Sequence, residues 1–161
     1  MAKEMKEVDI FRDTYLRYLG YANEVGEAFR GIVAKNLVRF SYAVAIGYVI
    51  ADSSCKAVVA YQQEPSPNKI KRVALSASDC LIWQGFASVV IPGFTINRIC
   101  YSVQFAQKKL SGKKFQSPWI SVAVGLISIP FIIHPIDALV ENGMNLSYRK
   151  WVGHSPNIAP D

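Results

Sequence analysis

The chain has 161 residues, the length of a single domain. Hydrophobic residues make up 51% of it and charged residues 19%, an apolar composition for a water-soluble domain, and the apolar residues are gathered into blocks. A net charge of +6 is compatible with nucleic acid, with anionic lipid or with the flanks of membrane helices. The three cysteines have neither metal-ligand nor redox spacing, so we expect buried structural thiols at Cys55, Cys80 and Cys100.

The N-terminal segment is predicted to form an amphipathic helix after a flexible stretch at residues 1–8. It lacks the apolar core of a secretory signal, and its acidic residues are atypical of a cleaved mitochondrial transit peptide, so any targeting information is expected to be internal. The helix either lies on a membrane surface or packs on its own helical bundle. Its apolar residues recur every three or four positions: Val8, Phe11, Tyr15, Tyr18, Ala22, Val25 and Phe29.

Three uncharged blocks follow, at residues 40–51, 80–97 and 115–136. A transmembrane helix needs about 20 mostly apolar residues. With some extension into their flanks, the blocks predict spans near residues 37–55, 77–97 and 118–136, inside one helical membrane domain at 9–152. The first block is the weakest, and a form with two spans and this block in the interface stays open.

Prolines and glycines separate the blocks. Pro65 and Pro67 interrupt the first linker and Gly112 the second, while Ser117 and Pro118 are suited to begin the third helix. A kink is expected at Pro92-Gly93, where the second helix leaves the membrane. The segment 153–161 is predicted to be a disordered tail.

Charge placement favours a membrane over water. Between Arg98 and Lys114 there are basic residues and no acidic ones. With three spans, 12 of the 18 lysines and arginines fall on the side of the N-terminus, which places that side inside a membrane, the matrix for an inner-membrane protein. The predicted fold class is therefore all-α: an integral membrane protein of about three transmembrane helices plus the amphipathic N-terminal helix. A water-soluble bundle is the weaker alternative.

Small residues at helical spacing indicate where the spans pack closely. They form two sets, one in the first span and one in the third. These sets are Ala43, Gly47 and Ala51, and Ser121 and Gly125.

The chain carries none of the common catalytic or nucleotide-binding motifs. No catalytic, cofactor-binding or metal residue is predicted, and we expect a protein that is not an enzyme. Nucleic-acid binding is disfavoured because the lysine cluster is short and lies between spans. His134 and Asp137 suit either a proton relay or, with the prolines at 130 and 135, the end of a span. Asp79 either pairs with Lys35 or Arg39, or begins a helix at Cys80.

Several segments resemble one known family. The strings RYLGYANEVGEAFR (residues 17–30) and IPGFTINR (91–98) are long and unusual, and EPSP (64–67) and IPFIIHPID (129–137) occur with them in the family's order. On these residues the chain resembles the mitochondrial fission process protein 1 family, also called mitochondrial 18 kDa protein.

The resemblance implies a multi-pass protein of the mitochondrial inner membrane that promotes fission and maintains mitochondrial morphology. It implies a scaffold or regulator without catalysis, in contact with the lipid bilayer and with inner-membrane proteins of the fission or energy-coupling machinery. The alternative is a transport accessory or channel-like helical bundle that uses Asp79, His134 and Asp137.

Overall fold

The computed structural model describes residues 11, 15–63, 67, 69–110 and 117–153, and their regular structure is entirely helical. This confirms the all-α fold class. The predicted flexible N-terminus at 1–8, Gly112 and the tail beyond Gly153 lie outside the described residues. The elements are a 3₁₀ helix Tyr15–Tyr21, α1 Ala22–Phe29, α2 Lys35–Gln63, α3 Lys69–Gln84, a π-helical segment Gly85–Val90, α4 Ile91–Leu110, α5 Pro118–Leu146 and α6 Tyr148–Val152.

Among the described residues, three helical stretches are long and apolar enough to cross a membrane: Lys35–Gln62, Lys69–Lys109 and Pro118–Val152. Each is longer than the predicted span near residues 37–55, 77–97 or 118–136. The first helix, expected to be marginal, continues through Asp52, whose carboxylate accepts a 3.0 Å hydrogen bond from Lys56 one turn later. The breaks between α2 and α3 and between α4 and α5 fall where the linkers were predicted.

The prolines in the long helices do not end them. Pro130 and Pro135 lie inside α5, which continues to Leu146. The helix end expected at His134 and Asp137 is therefore absent, and where the membrane span itself ends stays a prediction. Packed helices tolerate an internal proline because neighbouring groups satisfy the backbone carbonyl that it leaves without a donor. At the start of α5, Ser117 is extended and Pro118 is the first helical residue as predicted, although the Ser117 side chain makes no capping hydrogen bond.

The second long helix contains the π-helical segment directly before Pro92. Proline has no N–H, and its ring clashes with the carbonyl four residues earlier, so a widened turn relieves the clash. The kink predicted at Pro92-Gly93 is not a helix end, because the helix continues through both residues to Leu110, and the irregular turn lies earlier, at Gly85–Val90.

One of the two small-residue sets lies in a helix contact. Gly125 of α5 faces Cys100 of α4 and Ala28 of α1, and a Cβ built on it would lie 2.8 Å from the Cys100 sulfur. Ser121 beside it is buried, so that prediction is confirmed. The set in α2 was predicted wrongly: Ala43, Gly47 and Ala51 are exposed. The inner face of α2 is instead formed by Val38, Ala45, Val49 and Asp52.

The N-terminal segment packs on the bundle, the second of the two alternatives given for it. The side chains that it buries, however, are mainly polar: Asn23, Glu24 and Glu27, together with Ala28. Part of its apolar side faces outward, with Tyr15 89% exposed and Val25 41% exposed, while Phe11 packs on the Tyr48 ring. Gly20 lets this segment approach α2, since a Cβ there would lie 3.1 Å from the Tyr48 ring.

Candidate functional site

In the described part of the chain, three clusters of polar side chains surround buried acidic residues. The first, which we call the polar junction, consists of Asn23, Glu24, Glu27, Tyr42 and Asn97, where α1 meets α2 and α4. A second surrounds Asp79 between α3 and α6, and a third surrounds Asp52 between α2 and α3. Because buried polar groups are costly unless they are hydrogen-bonded, the partners in each cluster indicate what it does.

Glu27 is the centre of the polar junction. Its carboxylate accepts hydrogen bonds from the Tyr42 hydroxyl at 2.8 Å, from Asn97 Nδ2 at 2.9 Å and from Arg30 Nε at 2.6 Å. Burial alone would raise the pKa of Glu27, but these hydrogen bonds and the charge of Arg30 outweigh it and lower the pKa. Glu27 is therefore an anion that joins three helices.

A glycine makes room for the junction. A Cβ on Gly93 would lie 2.5 Å from the Tyr42 hydroxyl and 3.2 Å from Asn23 Nδ2. Asn23 Nδ2 also donates a 3.1 Å hydrogen bond to the backbone carbonyl of Val89 in the π-helical segment. Three segments of the chain thus meet here: α1, which lies within the RYLGYANEVGEAFR string, the π-helical segment, and the IPGFTINR string of α4.

Glu24 differs from every other member of the junction. Its side chain is fully buried, and neither carboxylate oxygen has a hydrogen-bond partner among the described residues. Burial, with a smaller contribution from the charge of Asp137, raises the pKa of Glu24 to about 8. The group therefore holds its proton at neutral pH. Arg17 is close enough to Asp137 for the two charges to interact.

Asp79 forms a buried ion pair that the sequence reasoning missed. Its two oxygens accept hydrogen bonds from Arg149 of α6, at 2.8 Å from Nε and 2.9 Å from Nη2, and both side chains are buried. Arg149 also contacts Glu141 and Asn145 of α5. The predicted partners Lys35 and Arg39 were wrong, and so was a helix start at Cys80, because Asp79 lies inside α3.

Asp52 is the centre of the third cluster. Its Oδ2 atom accepts hydrogen bonds from Lys56 Nζ and from Gln84 Nε2, and it lies 3.6 Å from the Cys80 sulfur. Cys80 and Cys100 are buried as expected. Cys55 is exposed, which corrects the prediction that all three thiols are internal. It lies on the outer side of α2, three residues from Asp52.

The three residues considered for transport do not converge. Asp79 is held by Arg149, His134 is exposed, and Asp137 lies instead near Glu24 and Arg17. Within the described ranges, no group of three or more His, Cys, Asp or Glu side chains is arranged to hold a metal ion. What the clusters do is join helices: each cluster contains polar contacts that connect two or three elements of the bundle.

Arg149, Glu24 and Glu27 are the residues that sequence reasoning missed. Glu24 and Glu27 lie opposite the apolar stripe of the N-terminal segment, so the pattern placed them in water. Arg149 falls beyond the predicted third span, in a stretch with no periodic signal. The polar side of α1 could have been used to predict the burial of Glu24 and Glu27. In a bundle whose outer surface is apolar, a packed helix turns its polar side inward.

The comparisons with known proteins agree with the resemblance noted in the sequence. The family model for Mitochondrial 18 KDa protein (MTP18) matches residues 5–79 and 66–144. The chain belongs to the mitochondrial 18 kDa protein family. Mitochondrial fission process protein 1 of Caenorhabditis elegans is 49% identical to the chain, with 98% of the chain and 96% of the relative covered. The Homo sapiens protein of the same name is 46% identical, with 89% and 88% covered.

The Danio rerio protein of that name is 45% identical over 90% of the chain and 89% of its own length. No solved structure matches the chain. The family match includes the polar junction and Asp79, but Arg149 lies beyond the last matched residue, 144.

Proposed function

We propose that this protein is an integral, multi-pass protein of the mitochondrial inner membrane that promotes mitochondrial fission and maintains mitochondrial shape as a non-catalytic helical scaffold. The names of its relatives support the role in fission. One structural observation carries the membrane part of the proposal. The outer surface of the long helices is apolar, while many of their polar side chains pair with one another inside.

The outer surface is unlike that of a water-soluble bundle. Between 22% and 28% of the residues in the apolar stretch of each long helix are buried within the protein. Large apolar side chains are exposed along every one of these helices, among them Phe40, Ile46, Ile50, Phe94, Phe105, Ile127, Phe131 and Leu139. Soluble monomers rarely expose apolar patches of more than a few hundred Å². Lipid chains are the environment that such a surface fits.

The interior supports a scaffold better than an enzyme. Glu27 and Asp79 are each fixed by two or more hydrogen bonds from other elements, and side chains used in this way hold helices together. The outward apolar side of the N-terminal segment, with Tyr15, Tyr18 and Val25, is then free to contact lipid or an inner-membrane protein of the fission or energy-coupling machinery. The positive-inside rule places the N-terminus in the matrix.

A division assay with a structural control tests the scaffold. In cells that lack the endogenous relative, wild-type protein should restore mitochondrial division. The double variant Tyr18→Ser, Val25→Ser should insert and fold but fail to restore it, because it changes only the outward side of the N-terminal segment. The matched control Ala43→Ser, Gly47→Ser changes the outward side of α2 and should restore division. Full activity of the Tyr18/Val25 variant would contradict the assignment of that surface.

The transport alternative is favoured by one observation, the unpartnered carboxyl of Glu24 near Asp137. A buried ionisable group inside a membrane bundle is a common element of proton or ion pathways. Reconstitution into liposomes separates the two functions. The scaffold predicts no proton flux above that of empty liposomes, whereas flux that Glu24→Gln abolishes would favour transport.

A further inference from the structure

A cavity of about 150 Å³ opens where three segments of the chain meet, and it is lined by Gly31, Gln104, Gln107, Lys108 and Pro118. Gly31 lies in the turn between α1 and α2, Gln104, Gln107 and Lys108 lie in the last two turns of α4, and Pro118 begins α5. At about 30 Å³ per water molecule, this volume holds roughly five waters. It has room for a phosphate group and too little for a nucleotide.

The polar side chains of the cavity are hydrogen-bond donors. Gln107 Nε2 is buried and has no hydrogen-bond partner in the described part of the chain. Gln104 Nε2 donates only a long hydrogen bond, 3.4 Å, to Ser121 Oγ. Lys108 adds an exposed ammonium group. A buried N–H without an acceptor destabilises a protein, so the Gln107 amide indicates an acceptor that binds in the cavity.

Gly31 keeps the cavity open on one side. A Cβ on this residue would lie 3.0 Å from Gln104 Nε2. A side chain at position 31 would therefore meet the amide group that faces the cavity. The absence of a side chain leaves space for a ligand beside Gln104.

The electrostatic surroundings select a negative ligand. The positive end of the α5 dipole lies at Pro118. The carbonyl groups at the end of α4 oppose an anion, but Lys108, which lies in the last turn and lines the cavity, offsets them. No acidic residue occurs in α4 between Arg98 and its end at Leu110.

We propose that this cavity binds the phosphate of an anionic phospholipid headgroup. The Gln107 amide and the Lys108 ammonium group donate to the phosphate oxygens, and the acyl chains lie along the outer side of the adjoining helices. Trp119, 63% exposed, adjoins the cavity at the start of α5, and indole rings concentrate where headgroups meet hydrocarbon. Basic pockets between transmembrane helices bind such headgroups. The inference rests on the membrane insertion proposed above and not on the role in fission.

Lipid binding to the full-length protein, purified in a neutral detergent, tests this site. Native mass spectrometry would count bound lipid during titration with phosphatidylglycerol, and with phosphatidylcholine for comparison. We expect one preferred phosphatidylglycerol per chain, because phosphatidylcholine carries a bulky cation beside its phosphate. Gln107→Leu should lower the affinity about tenfold, since it removes a hydrogen bond to a charged group. Lys108→Gln should lower it about fivefold.

Two matched controls distinguish a built site from general surface charge. Lys109→Gln removes the same charge one residue further on, and Gln62→Leu replaces an exposed glutamine at the other end of the bundle. Both should change the affinity less than twofold. The site is contradicted if Lys108→Gln and Lys109→Gln weaken binding equally and Gln107→Leu has no effect.

Two further measurements distinguish loss of lipid binding from loss of folding, and lipid binding from binding of free phosphate. Gln107→Leu removes a buried unpaired group, so its melting temperature should equal or exceed that of the wild type, and lost lipid binding then reports on the site. Inorganic phosphate should displace phosphatidylglycerol only weakly, and binding of inorganic phosphate with equal affinity would overturn the lipid assignment. A protein that inserts into membranes but shows no preference for phosphatidylglycerol would refute this inference and leave the proposed insertion intact.

Discussion

The outer surface of this bundle is apolar, while its interior holds buried polar pairs beside apolar core clusters. Outside, Phe40, Phe94 and Phe131 are exposed, and a glycine such as Gly47 has no neighbour for a side chain to meet. Inside, Glu27 and Asp79 are surrounded by donors, and Gly93 and Gly125 are in tight contacts. A water-soluble bundle keeps most of its charged and polar side chains on the outer surface. In this fold the apolar outer surface suits a lipid environment, while polar pairs and small residues hold the helices together.

The largest expected effect comes from breaking the buried ion pair. Arg149→Met should lower the free energy of unfolding by about 3–5 kcal/mol, because it leaves the buried Asp79 carboxylate without its partner. Lys150→Met removes the same charge from the exposed neighbour and should cost less than about 0.5 kcal/mol. Denaturant unfolding in detergent measures both. Adding Asp79→Asn to Arg149→Met should recover part of the loss, and equal stabilities of the two single variants would refute the ion pair.

The protonation of Glu24 predicts that the free energy of unfolding depends on pH. Its pKa is about 8 in the folded chain and near 4.5 in the unfolded chain, so the folded state binds the extra proton between these values. Stability from this group is complete below about pH 4.5, falls as the pH rises and is lost above about pH 8.

Glu24→Gln removes this titration and serves as the reference. Relative to that variant, the wild type should lose about 1 kcal/mol per pH unit between pH 5.5 and 7.5. Asp137 and Arg17 remain in both proteins, so the difference between the two curves reports mainly on Glu24. Parallel curves for wild type and Glu24→Gln would mean that Glu24 is not held as a buried acid.

Removing one donor from the polar junction should have an intermediate effect. Asn97→Ala takes away the 2.9 Å hydrogen bond to Glu27 and should cost about 2 kcal/mol, the range for hydrogen bonds to charged groups. Asn142→Ala, at an exposed position of α5, is the matched control and should be neutral within about 0.5 kcal/mol. The thermal unfolding midpoints of the two variants give the comparison, and a neutral Asn97→Ala would mean that the junction does not stabilise the bundle.

The smallest expected effect comes from adding a side chain to a glycine, on the packed side of α5 in one variant and on the outward side of α2 in the other. Gly125→Val should cost about 1–2 kcal/mol, because its side chain meets the Cys100 sulfur and Ala28. Gly47→Val, with open space around it, should change stability by less than about 0.5 kcal/mol. The same unfolding assay compares them. If Gly47→Val proved the more harmful, the outward side of α2 would be a packed interface.

The sequence predicted the helices and their breaks better than their orientation. The lengths of the uncharged blocks located the three long helices. Pro65 and Pro67 marked the end of α2, and Pro118 marked the start of α5. Periodicity correctly grouped Tyr15, Tyr18 and Val25 on one side, but it did not say which side faces the bundle. That choice depends on whether the surroundings are water or lipid, a property of the whole assembly and not of one helix.

The candidate site was less predictable because its contacts join distant segments. Asp79 and Arg149 are 70 positions apart, as are Glu27 and Asn97. A single sequence contains no signal that pairs such residues. Pro130 and Pro135 led to a wrong prediction of a helix end for a related reason. The helix-breaking tendency of proline is local, whereas α5 packs along α1 and α4, which are distant in sequence.

Membrane insertion is the claim on which the account depends, and alkaline carbonate extraction of isolated mitochondria tests it most directly. The account predicts that the protein stays in the membrane pellet at high pH, because its long helices are held by lipid around an apolar surface and not by charge. Release of the folded protein into the carbonate supernatant, together with peripheral membrane proteins, would contradict it.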